Sequence, residues 1–488
     1  MSKDAVNTAV AAPREPAAQT PADAGDAGYS KDLKARHVNM IAIGGAIGTG
    51  LFLGAGGRLH SAGPALALAY LVCGVFAFFV VRALGELVLY RPSSGSFVSY
   101  SREFLGEKGA YVAGWMYFLN WSTTGIADIT AIALYTHYWS LFTDIPQWLL
   151  ALAALAVVLA VNLISVKIFG EMEFWFAIVK VATLVAFMLI GVFLLATRHE
   201  VGGTTPGLSV ITDNGGLLPH GAMPVVLVMQ GVIFAYAALE LVGVAAGETA
   251  EPEKVVPRAV NSIMWRVGLF YCGSVVLLAL LLPGSVYSGD ESPFVTVLSK
   301  IGVPAAGDVM NLVVLTAAMS SLNSGLYSTG RILRSMATAG SAPKFTARMN
   351  RSQVPYGGIL LTCAVCVLGV GLNYLVPSKA FEIVLNVASL GIISTWVIIM
   401  VCHLVFVRRA RAGLLSRPGF RLPGSPVTEI ATIAFLLACL GLMADDPEVG
   451  RKTLLLVPLI AAALVAGWFA VRRRVNASQA DVSQADVS

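Results

Sequence analysis

The chain has 488 residues, of which 57% are hydrophobic and only 12% charged, with a formal net charge of +5. Soluble globular chains carry about a quarter charged residues, so the composition excludes a soluble protein and points to one whose solvent is the lipid bilayer, where about 20 mostly apolar residues make one crossing. The small basic excess gathers on no soluble face, which excludes a nucleic-acid-binding patch.

Residues 1–35 are polar and rich in Ala, Pro and Asp, with no apolar core. They predict a disordered cytoplasmic segment rather than a signal peptide. Twelve candidate spans follow, at roughly 38–58, 63–90, 109–141, 147–165, 173–196, 223–246, 263–283, 309–330, 357–376, 382–407, 427–443 and 453–471, numbered here 1 to 12. Basic residues cluster at alternate connections. Lys31, Lys34 and Arg36 precede span 1, and Arg331, Arg334, Lys344, Arg348 and Arg351 follow span 8. Arg408, Arg409, Arg411, Arg417 and Arg421 follow span 10, and Arg472 to Arg474 follow span 12. Positive charge marks the cytoplasmic side, so both termini are expected in the cytoplasm, with a polar cytoplasmic tail over residues 476–488.

Span 1 is too rich in glycine for an ordinary helix. Gly44, Gly45, Gly48, Gly50 and Gly54 fall within eleven positions, and each costs a helix about 1 kcal/mol relative to Ala. Small-residue packing accounts for some of them, but Gly48-Thr49-Gly50 is denser than a packing face requires and predicts an unwound break. Span 6 carries a carboxylate, Glu240, in mid-membrane after Phe234-Ala235-Tyr236, with Gly243, Gly247 and Glu248 beyond it. Spans 1 and 6 open two five-helix halves, and interrupted helices at corresponding places point to a transporter's binding site. A break frees backbone N–H and C=O groups that lipid cannot satisfy. Helix N-termini favour an anion, and freed carbonyls accept from an ammonium. A zwitterion fits both. The spacing Gly45-x-x-Gly48-x-Gly50 is no dinucleotide loop, since no strand precedes it.

At these residues the chain resembles a known family. The run Ile43 to Gly54 is similar to the opening helix of the bacterial amino-acid permeases, a branch of the amino acid–polyamine–organocation superfamily. Further matches follow in order at Leu84-Gly-Glu86 with Pro92 to Tyr100, Glu173 to Lys180, Glu240 with Gly247-Glu248, and Ser320 to Arg331. The resemblance covers roughly residues 30–475. Tyr111 to Tyr117, Gly125 to Ala131 and Tyr135 to Trp139 are most similar to the members that carry asparagine, while those for D-alanine, D-serine and glycine share much of the pattern. The resemblance implies an all-α membrane protein of about twelve transmembrane helices. Residues 36–407 would form a five-plus-five inverted repeat with broken helices 1 and 6, and residues 408–475 two additional helices. It further implies alternating access in a bacterial cytoplasmic membrane, proton symport, and a substrate held on the broken helices at Ile47, Gly48, Thr49, Gly50, Phe234, Ala235 and Tyr236, with Tyr236 as a lid.

Ionisable residues inside a membrane are costly and mark functional sites by default. Lys180 in span 5 is either a structural tie to span 1 or a gating ammonium, and both readings place it beside Gly44 and Gly45. Glu240 is a candidate proton carrier, and Glu248 a proton station or an inner-loop salt bridge. Asp128 in span 3 lies among Thr123, Thr124 and Thr130, as an anchor or as a reader of the substrate side chain. Arg82 and Glu86, four residues apart, predict a structural pair. The Cys363-x-x-Cys366 pair has no second Cys or His pair nearby, so it reads as packing. No metal or cofactor site is expected. A membrane enzyme lacks a nucleophile–base set, a nutrient sensor lacks a soluble output domain, and an ATP-driven pump lacks its phosphate loop. Import of a small polar amino acid together with a proton remains, asparagine first, with D-alanine, D-serine or glycine as the alternative.

Overall fold

The computed structural model describes residues 36, 37, 40, 47–247, 251–289, 291–303, 305–375, 380–445 and 450–485. The N-terminal 1–35 segment, Gly44, Gly45 and Glu248 lie outside the described residues, so the expectations placed on them are not addressed. Among the described residues the regular elements are helices, apart from one isolated bridge between Val201 and Thr204.

Among the described residues, nine helical stretches are long and apolar enough to cross a membrane. They account for the expected spans once three features are taken together. Spans 1 and 2 follow one another within Thr49–Tyr90 across a turn at Gly63 (φ 66°), while span 6 is a shorter apolar helix, Ala222–Ala235. Span 3 lies within the helix Ser96–His137 but is too polar to register as a crossing. It carries Asn120, Ser122, Thr123, Thr124, Asp128 and Thr130, and all of them are buried in the bundle. A polar row is tolerated at membrane depth when it faces protein rather than lipid. Gly106, with φ 78°, divides Ser96–His137 into a first helix and the span proper. That left-handed backbone suits a residue without a Cβ.

Spans 3, 8 and 10 form the centre. Span 8 is Ala306–Thr338 and span 10 is Ala380–Arg411. A Cβ added at Gly391 would lie 2.7 Å from the Asn120 Cα, so spans 10 and 3 approach backbone to backbone, the close packing that small residues permit between membrane helices. Span 12 lies at the periphery, with none of its most apolar stretch buried. Its helix, Leu456–Ala485, runs through most of the segment expected as a polar tail. Once a helix is nucleated, each added residue needs only one more bond to continue it. Cys363 and Cys366 are buried, unbridged packing residues.

Candidate functional site

The expected interruptions occur in both helices. In span 1, Gly48 is extended (φ −131°, ψ −162°) and the helix begins at Thr49. The Gly48 carbonyl accepts from the amides of Leu51 and Phe52, each at 3.2 Å. In span 6, the helix Met229–Ala235 ends and a second, Leu241–Ala246, begins. Between them the ladder tightens to i→i+3 bonds, among them Tyr236 N–H to Ile233 C=O and Ala237 N–H to Phe234 C=O, both 3.0 Å. Ala238 adopts φ 76°, a left-handed conformation that costs an L-residue with a Cβ about 1–2 kcal/mol. The surrounding bundle supports that strain at the break.

The two breaks meet directly. A Cβ at Gly50 would lie 2.6 Å from the Ala235 Cα, whereas one at Gly48 would meet nothing closer than Ser321 at 4.0 Å. Crowding within the Gly48-Thr49-Gly50 run therefore falls on Gly50 rather than on Gly48. Ile47, Thr49, Phe234 and Ala235 are buried around this contact.

Asp128 is brought to the same place. It is wholly buried, and Thr49 Oγ1 donates to its Oδ1 at 3.0 Å. Asp128 thus ties span 3 to the first turn after the span 1 break, rather than sitting only within the threonines of its own helix. Glu240, also wholly buried, accepts from Trp396 Nε1 of span 10 at 3.4 Å. Tyr236 is pinned in the wall: its hydroxyl donates to the Tyr70 carbonyl at 2.7 Å, and its ring packs on Tyr70 and Tyr271. Tyr271 lies in a π-helical stretch of span 7, Val267–Gly273, and its hydroxyl donates to the Ala235 carbonyl at 3.0 Å. A wide turn of this kind often accompanies a functional site, and here it supplies the donor for a carbonyl at the end of the first span 6 helix.

Lys180 is buried one helix away. Its Nζ donates to Ser320 Oγ at 2.9 Å and lies 3.9 Å from Glu173 Oε1, and Ser320 in turn donates to Glu173. This links spans 5 and 8 through an ammonium, a hydroxyl and a carboxylate. The sequence motifs that contain Glu173 and Ser320 assign neither a role, although Glu173 and Lys180, seven residues apart, share a helix face.

The predicted Arg82–Glu86 pair does not form. Glu86 instead accepts from the Leu422 amide at 2.7 Å and pairs with Arg417 and with His403 Nε2 (3.0 Å), whose Nδ1 faces Glu429 Oε1 at 2.9 Å. Arg82 turns away to the Asn261 side chain and the Arg421 carbonyl. A second buried cluster thus joins spans 2, 10 and 11 to the connection between spans 10 and 11.

Asp128 Oδ2 and Glu240 Oε1 at the breaks, and Glu173 Oε2 beside Lys180, are buried and make no hydrogen bond among the described residues. Buried polar atoms are almost always satisfied. The orphaned oxygens of Asp128 and Glu240, beside freed backbone, therefore suit a site that takes up protons, a cation or polar N–H groups.

A multi-pass helical membrane protein with two interrupted helices in contact, ringed by buried carboxyl groups, is the class that this fold and site define. A family model described as "Amino acid permease" matches residues 37–479, and the chain belongs to that family. It is 88% identical to an L-asparagine permease of Streptomyces coelicolor over 97% of both chains. It is 62% identical to an L-asparagine permease of Salmonella typhimurium and 60% to one of Escherichia coli, in each case over 93% of this chain and 91% of the relative.

Proposed function

We propose that the protein imports L-asparagine across a bacterial cytoplasmic membrane, with both termini in the cytoplasm, by alternating access coupled to proton entry. The observation that carries this reading is the meeting of Thr49 and Asp128 at the span 1 break, beside the Gly50–Ala235 contact. The helix starting at Thr49 offers amide donors to the substrate carboxylate, and the tightened turn of span 6 offers carbonyls to its ammonium. The near-identical L-asparagine permease supports asparagine as cargo. Asp128, ionised, accepts only, so it suits a carboxamide N–H₂ and repels the carboxylate of aspartate. Glu240 and the Lys180–Ser320–Glu173 relay are the proposed proton-handling groups, with Glu248 as a proton station or salt bridge further in. Transport in this scheme is movement of cargo, with no chemical conversion.

The test is uptake of radiolabelled L-asparagine by proteoliposomes against a competitor panel of the common L-amino acids with D-alanine, D-serine and glycine. L-Asparagine should compete best. Preference for D-alanine or glycine would reassign the cargo and leave the fold intact.

A further inference from the structure

A second polar site lies above the breaks, on the side where span 1 ends. A cavity of about 540 Å³ is lined there by Arg58, Gln230, Gly231, Ser288 and Asn386, with no Asp or Glu among the described residues of its wall. Arg58 is held rather than free-swinging. Its Nη1 donates to the Gly50 carbonyl at 2.9 Å, and its guanidinium fills the space left by two glycines. A Cβ at Gly54 or at Gly231 would lie 2.8 Å from a guanidinium nitrogen. One glycine comes from span 1 and the other from span 6. Nη1 also reaches the Tyr70 hydroxyl at 3.5 Å, whereas Nε and Nη2 make no hydrogen bond among the described residues, and no carboxylate among them pairs with the guanidinium. Beside it, Gln230 is only 9% exposed, and its Nε2 is buried without a hydrogen-bond partner among the described residues.

A fixed guanidinium presents a planar fork that matches a carboxylate, and an orphaned amide N–H₂ calls for an acceptor. We propose that Arg58 and Gln230 form an outer loading site that captures the incoming amino acid by its carboxylate before it reaches the spans 1 and 6 break. The proposal rests on the import reading above. Through Gly50 the same guanidinium holds the backbone that the cargo must reach next, so capture and entry share one residue.

Equilibrium binding of radiolabelled L-asparagine to the full chain in lipid nanodiscs tests this. The wild type should show two components, with the weaker one assigned to the loading site. Gln230→Leu should weaken that component about tenfold or more, as expected when a hydrogen bond to a charged group is lost, while the tighter one persists; Arg58→Gln should weaken it as much and, through the lost bond to the Gly50 carbonyl, weaken the tighter one too. A single component in the wild type, or a weaker component unchanged in both variants, overturns the proposal. Uptake by the wild type in proteoliposomes separates the two readings. Intact uptake with either of those binding results removes the loading site alone, whereas no uptake of asparagine removes the import reading and the loading site with it.

Discussion

Thr49 Oγ1 donates to Asp128 Oδ1 across 3.0 Å, joining the first turn after the span 1 break to the middle of span 3. One carboxylate oxygen is thereby spent on the fold, and the other, Oδ2, is buried and unbonded among the described residues. Asparagine and alanine present the same carboxylate and ammonium to backbone groups, so discrimination needs a group aimed at the side chain. Asp128→Asn keeps an acceptor for Thr49 but loses the charge. It should raise the KM for asparagine about tenfold, admit aspartate, and change competition by glycine little. Equal loss for every substrate in the uptake assay would make Asp128 an anchor only.

Gly50 faces the Ala235 backbone at a distance that leaves no room for a methyl group. Overpacking by one methyl costs about 1–3 kcal/mol, here at the point where the two broken helices meet. Gly50→Ala should lower uptake about tenfold or more at normal membrane abundance. Gly48→Ala, with open space around its Cβ, should transport nearly as the wild type does. The reverse order, measured by uptake normalised to inserted protein, would place the close approach elsewhere.

Lys180 and Glu173 are joined through Ser320, and removal of one partner leaves the other buried with its charge unmatched. Breaking such a pair costs about 3–5 kcal/mol. Lys180→Met should therefore unfold at a lower temperature than the wild type, and Lys180→Met with Glu173→Gln should recover much of that loss. If the relay also handles protons, the double variant stays uncoupled from the pH gradient although it is stable. A double variant with wild-type coupling would confine the trio to structure.

Glu86 collects Arg417, the Leu422 amide and His403, and so fastens the connection between spans 10 and 11 to the C-terminal end of span 2. Glu86→Ala should lower the thermal unfolding temperature in detergent and expose residues 408–426 to protease. Arg82→Ala, which removes contacts to Asn261 and Arg421 but none to Glu86, should do so far less. Equal effects would restore the Arg82–Glu86 pairing suggested by their spacing.

The breaks were legible because glycine density and a mid-membrane carboxylate are local signals. So was the placing of Asp128 as a polar residue turned inward from a membrane helix. Its partner was not, because Thr49 lies 79 residues away and only the bundle brings them together. The Glu86 cluster shows the limit from the other side: helical spacing offered Arg82, while tertiary packing delivered His403 from 317 positions away and Arg417 from 331. The left-handed Ala238 left no trace in composition, since alanine is the best helix former and marks no turn. Span 3 illustrates a related difficulty. Its polar residues lower the hydropathy that identifies a crossing, and they do so because that helix lines the centre.

The most direct measurement is asparagine accumulation by sealed proteoliposomes under an imposed pH gradient, acid outside, with external sodium replaced in turn by potassium and by choline. Buried Lys180 with its carboxylate partner, and Glu240 at the break, supply titratable groups. Accumulation should follow the pH gradient, collapse with a protonophore, and be indifferent to the replacement cation. An absolute sodium requirement, or equilibration that ignores the pH gradient, would contradict the account.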